Sequence, residues 1–323
     1  MTTTGAFERP RFDRLHFVLG QEGAEADSMS EHLRAQGVKQ ISSCNGNADR
    51  LFDALDAEIV DLLVYDFDLL GDSFVDVMQN VRKKVRGRNP FVIILATAKV
   101  SAVETVRRLV NAGVDDMLRK PVTNERLFES VSKFMHRRKP FTVSYDYVGP
   151  NIAVEHRPQQ TASNPVIRVP NTMRSRAVEG VSEAELKHLV ETAVANLEDK
   201  RLIACGAEID FQAKLVVSSY ESARNNPADI DKMRAALQRM IQVSDELRER
   251  CKGTQYERIG NLGTMVIALS QRLQRMTTFR TTVDIQLVVK LAEAIRGALA
   301  TERDSVGVMR DIAATIANYT DRK

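Results

Sequence analysis

The chain has 323 residues, enough for two domains at the usual size of roughly 100–200 residues each. Its 43% hydrophobic and 28% charged residues describe an ordinary core-forming protein, and a net charge of +3 is too mild to argue nucleic-acid binding from electrostatics. No run approaches the roughly 18 apolar residues of a membrane span. The N-terminus lacks a basic-then-apolar leader, and Cys44, Cys205 and Cys251 are too far apart for a disulfide framework or a metal knuckle. A reduced, cytoplasmic protein is the expectation.

After a tail over residues 1–11, apolar runs alternate with amphipathic stretches to about residue 138, the pattern of βαβ units and a parallel sheet. The first strand is expected over Leu15–Leu19, followed by a helix carrying Met29 and Leu33 that stops at Gly37. A short strand over Val38–Ser42 and a helix with Leu51, Phe52 and Leu55 come next. Leu62–Tyr65 is the third strand, with a helix over Phe74–Val85 behind it. Phe91–Leu95 is the fourth, with a helix over Ala102–Asn111 closed by Gly113. Asp115–Leu118 is the fifth, and Asn124–His136 is a last helix capped by Thr123 or Asn124. Five such units with right-handed crossovers predict an α/β fold: a flavodoxin-like, doubly wound, five-stranded parallel sheet.

Three polar side chains stand at the carboxyl ends of these strands, where such sheets bind ligands. Asp66 ends the third strand, Thr97 the fourth, and Lys120 follows the fifth just before Pro121. Thr97 lies 31 residues after Asp66 and Lys120 a further 23. A carboxylate beside a cation and a fixed lysine is equipped to take and hold a phosphoryl group.

With those residues, and with Gly113-Val114-Asp115-Asp116-Met117-Leu118-Arg119-Lys120-Pro121, residues 12–138 resemble the receiver domain of two-component response regulators. The resemblance implies that Asp66 is the phosphoacceptor. Thr97 would be the hydroxyl that turns toward the phosphoryl oxygens, and Lys120 the cation that pairs with them. It also implies Mg²⁺, with Glu22, Asp66 and the backbone carbonyl of Asp68 as ligands, and a histidine kinase or phosphotransfer protein as donor. Three positions depart from the family pattern. Gln21 replaces one of two adjacent acids after the first strand, which weakens the metal site. Leu70 stands where a proline is usual, and Met117 where an aromatic switch residue is usual, so the standard switch coupling is in doubt.

Residues 139–181 read as an extended, partly disordered linker whose first part, Lys139 to Pro150, alternates apolar and polar residues like a strand or an extended segment docked on a domain. From residue 182 to 323 a second, all-α helical bundle of five or six helices is expected, opened by the capping box Ser182-Glu183-Ala184-Glu185. Its stripes are Leu186–Leu197, Met233–Leu247, Ile259–Met276, Ile285–Leu299 and Val308–Ile316, with a break at Asn225-Asn226-Pro227. His188 lacks the neighbours of a phosphotransfer histidine, and Met233, Met240, Met265 and Met276 read as core. No nucleophile–base pair, metal spacing or phosphate loop marks this half as an enzyme. The expected function is a response regulator with a non-enzymatic helical output acting on an unknown downstream protein. Homodimerisation is plausible but unsupported by anything specific. The first alternative is a phosphorylation-independent scaffold, and the second a nucleic-acid-binding output.

Overall fold

A computed structural model describes residues 10–99, 103–152, 164–223, 228–275 and 282–300. The chain forms two compact units, 1–197 and 198–323.

In the first unit, strands β1 (His16–Gly20), β2 (Gln40–Ser43), β3 (Leu62–Asp66), β4 (Ile93–Ala98) and β5 (Asp116–Arg119) form one parallel sheet in the order β2-β1-β3-β4-β5. This is the flavodoxin-like order expected. The helices are α1 (Gly23–Ala35), α2 (Ala48–Ala57), the short α3 (Phe67–Leu70), α4 (Phe74–Arg82), α5 (Val103–Ala112) and α6 (Asn124–His136). They divide between the two faces. Met29 and Leu33 of α1 pack with Leu127, Val131 and Phe134 of α6 on one side. Leu51 of α2, Val77 and Met78 of α4 and Leu109 of α5 cover the other. Leu62, Leu63, Val64 and Tyr65 are therefore completely buried, which is why β3 reads as a continuous apolar run instead of an alternation. Each such aliphatic side chain contributes about 1.5–3 kcal/mol of burial energy.

Boundaries shift by up to three residues from expectation, with β4 running on to Ala98 and α4 stopping at Arg82, as strand and helix ends do. The larger difference follows β3. There α3 and a 3₁₀ turn (Gly71–Ser73) precede α4, because the Asp66 carboxylate caps the chain as it leaves the strand. At the end of β1, Gly20 leaves room for the Tyr65 ring; a Cβ there would lie 2.1 Å from ring carbon Cδ2.

Residues 139–181, expected as an extended, partly disordered linker, are built into the first unit in their described parts. Strands β6 (Phe141–Val143), β7 (Val148–Pro150) and β8 (Val166–Ile167) form an antiparallel sheet in the order β7-β6-β8. Helix α7 (Thr172–Ala177) follows, with Met173 and Ala177 in the core shared by α1 and α6. The physical reason is a set of long-range contacts. Gln79 of α4 donates to the Val148 carbonyl (3.1 Å) and accepts from the Val148 N–H (3.2 Å). The Arg82 and Arg138 guanidiniums lie 5.0 and 5.4 Å from the Phe141 ring centroid, and Arg82 pairs with Asp115 at 2.7 Å. Gly113, in the left-handed region at φ +79°, permits close approach of this sheet, since a Cβ would stand 2.9 Å from the Val148 carbonyl oxygen.

Helix α8 runs from Glu183 to Ser222, and the boundary between the units falls within it. Its capping box forms as expected: Glu185 accepts from the Ser182 N–H at 2.9 Å, and the Glu185 N–H donates to the Ser182 hydroxyl at 3.3 Å. The second unit is all helical among the described residues. After α8 it contains α9 (Ala228–Cys251), α10 (Glu257–Arg275) and α11 (Thr282–Ala300). Helices α9 and α10 pack closely at Gly263, where a Cβ would lie 3.0 Å from the Ser244 carbonyl oxygen. Met233 and Met240 are buried, as expected of core. The expected helix over Val308–Ile316, Met276 and the break at Asn225-Asn226-Pro227 lie outside the described residues. No described helix is long and apolar enough to cross a membrane.

Candidate functional site

Parallel pairing brings the three strand-end residues to one edge. Asp66 faces Thr97 in the β3–β4 register, and Thr97 faces Leu118 of β5, two residues before Lys120. The Lys120 N–H donates to the Ala98 carbonyl at 2.9 Å, continuing the ladder one step past β5. The Lys120 ammonium can then reach Asp66.

Both Asp66 carboxylate oxygens are engaged. Oδ1 accepts the Asp68 N–H at 3.0 Å, and Oδ2 accepts from the Lys120 ammonium in a short ion pair. Asp66 is 5% exposed, so the pair lies just beneath solvent at the sheet edge. Lys120 also contacts Glu25 Oε2 of α1 at 3.0 Å. Burial works against the lysine charge, but hydrogen bonds to Asp66 and Glu25 outweigh it and raise its pKa above the ordinary value.

Thr97 is fully buried, and its hydroxyl accepts from Gln21 Nε2 at 3.2 Å. The other amide atom, Gln21 Oε1, is buried with no hydrogen-bond partner among the described residues. Gln21 follows the Gly20–Tyr65 pair in the β1–β3 register, so this free acceptor belongs to the same edge as Asp66.

The remaining sequence candidates are more dispersed. Glu22 is exposed as the N-cap residue of α1, and its carboxylate faces Gly46. The Asp68 side chain is exposed and contributes to Asp66 through its N–H. Met117 and Leu70 are half-buried and pack on the core beneath α2, α4 and α5. Among the described residues no three His, Cys, Asp or Glu side chains gather closely enough to hold a metal ion. Glu22, Asp66 and Asp68 therefore form no such cluster with their side chains. The Asp68 carbonyl assigned by the resemblance is a separate matter.

Sequence reasoning missed Glu25. Its only signal is a position three residues after Glu22, one helical turn along the same face of α1. Tyr65, the residue before Asp66, was read only as strand. Its hydroxyl donates to the Gly46 carbonyl, and burial, followed by the neighbouring Cys44, Glu22 and Asp66, raises its pKa and keeps it protonated.

No known family profile matches this chain. Part of it is similar to a cyclic di-GMP phosphodiesterase of Thermotoga maritima, at 27% identity over 122 residues, which is 38% of this chain. The match spans 31% of the relative's length.

Proposed function

We propose that the first unit is a phosphoacceptor regulatory domain of the response-regulator receiver type, with Asp66 as its acceptor. The observation that carries this is the Asp66–Lys120 ion pair at the carboxyl edge of the sheet, with Thr97 alongside in register. A carboxylate oxygen of Asp66 attacks the phosphorus of a donor such as a phosphohistidine or acetyl phosphate. The new O–P bond forms as the bond to the donor nitrogen or oxygen breaks, and the leaving group keeps the electron pair. Lys120 transfers its ammonium from the carboxylate to the phosphoryl oxygens, where its charge is worth most in a partly dry site. Thr97 must exchange its bond from Gln21 to reach the same group. That exchange would move the β4 end and alter how a partner engages this face.

The oxygen donors here fit Mg²⁺, which accepts one or two carboxylates with waters and phosphate oxygens. Asp66 and the unpartnered Gln21 Oε1 would hold it, with Glu22 and the Asp68 carbonyl as further candidates, and bound there it would withdraw charge from the phosphoryl oxygens. In this reading the phosphoryl comes from a histidine kinase or phosphotransfer protein, and the helical region acts through protein contacts without catalysis of its own.

Treating the full chain with acetyl phosphate and Mg²⁺, and reading intact mass, tests this. The expected result is one hydroxylamine-labile phosphoryl group on wild type and none on Asp66→Ala. No increment on wild type, or an equal one on the variant, overturns it. A second reading, a scaffold that works without phosphorylation, is favoured by the neutral Gln21 holding the Thr97 hydroxyl. It predicts that Asp66→Ala leaves partner binding unchanged.

A further inference from the structure

We infer that Glu25 is a positioning residue that shares the Lys120 ammonium with Asp66 and acts as an electrostatic brake on phosphoryl acceptance. Lys120 Nζ lies between two carboxylates from different elements, Asp66 at the end of β3 and Glu25 in the first turn of α1. The Lys120 side chain and Glu25 are both partly buried, and Gln21 is neutral. This cluster therefore carries two negative charges against one positive. Any phosphodonor is itself an anion and must approach that excess.

The geometry gives Glu25 two opposed effects. In the resting state it fixes Lys120 beside the acceptor. During transfer it competes for the ammonium that the arriving phosphoryl needs. Once Asp66 is phosphorylated, Lys120 has a stronger partner and the Glu25 contact is released, freeing the first turn of α1. A carboxylate in direct contact with that ammonium is close enough for its removal to change an anion's approach by roughly three- to tenfold at an effective dielectric near 40–80.

The kinetic test rests on Asp66 being the acceptor. Acetyl phosphate and Mg²⁺ are added to the full chain, and acylphosphate formation is followed at low and high salt. Glu25→Gln is expected to accept the group roughly three- to tenfold faster than wild type at low salt, with the gain shrinking as salt screens the charge. Glu25→Asp, which keeps the charge, falls between the two. Equal rates for wild type and E25Q, or a gain indifferent to salt and shared fully by E25D, overturn the inference. A second measurement needs no phosphorylation: a stability cycle of E25Q, Lys120→Gln and the double variant. The melting-point change caused by K120Q should differ between wild-type and E25Q backgrounds, and strictly additive shifts overturn the shared ammonium. If wild type takes no phosphoryl group at all, the acceptor reading fails, and this cycle alone decides the contact.

Discussion

Two aspartates bracket the same strand, and the chain treats them in opposite ways. Asp66 ends β3 at the carboxyl edge of the sheet, and Asp61 stands just before β3 at the amino edge. Asp61 is completely buried, and its Oδ2 accepts the His16 N–H at 3.0 Å and Arg176 Nη1 at 2.7 Å. Arg176 spends its remaining donors on the Ile59 carbonyl (2.9 Å) and on both Glu183 oxygens (3.0 and 2.7 Å). Burial disfavours the Arg176 charge, but Asp61 and Glu183 outweigh it and its pKa rises. Asp66 instead shares a single lysine with Glu25, at an edge that also carries an acceptor atom, Gln21 Oε1, without a partner among the described residues. One pair is fixed by a rigid, forked guanidinium, the other by a flexible ammonium that can change partners. The difference separates a locked ion pair from the one proposed here to take part in chemistry.

Removing the charge at each end should expose that contrast. Asp61→Ala leaves a buried guanidinium with only Glu183 and the Ile59 carbonyl as partners, and should cost about 3–5 kcal/mol of stability in urea unfolding. Ser182→Ala removes the cap that begins α8 beside the Glu183 contact, and should cost about 1 kcal/mol by the same measurement. Asp66→Ala should change stability by less than about 1 kcal/mol, because Lys120 keeps Glu25 and the site lies near water, while abolishing phosphorylation. A cost for Asp66→Ala equal to that of Asp61→Ala would erase the distinction.

The Lys120 pair also has a pH signature. Its folded-state pKa is raised, so its contribution is complete below the unfolded lysine value and is lost as pH climbs through the folded one. Melting curves should show wild type losing its advantage over Lys120→Met only in strongly alkaline buffer. The same advantage at every pH would mean that the ammonium contributes packing instead of charge.

Much of the first unit was legible because its central strands are buried on both faces. A run such as Leu62–Tyr65 announces itself without alternation, and the polar residue ending it marks the ligand edge. Thr97 and Lys120 were legible for the same reason. Glu25 was not, since along α1 it is one of several acids with Glu22, Asp27 and Glu31, and only the fold shows which one meets Lys120. The docked strands β6, β7 and β8 have only three, three and two residues; alternation marked the first of them as extended, but nothing local showed what they pair with. The role of Arg176 was not legible because its partner, Asp61, lies 115 positions earlier. Local pattern carries no record of a pairing at that range.

The Arg176 pair also sets where the polypeptide can be cut. A fragment ending after His136 would lack Arg176, β6, β7 and α7, leaving Asp61 enclosed without a countercharge and the cation-rich pocket around Asp115 open. The shortest piece able to stand alone therefore extends past the last helix of the α/β layer, through α7 to at least Glu183. Truncations at the apparent domain end should be recovered as aggregates, whereas those ending within α8 should remain in solution.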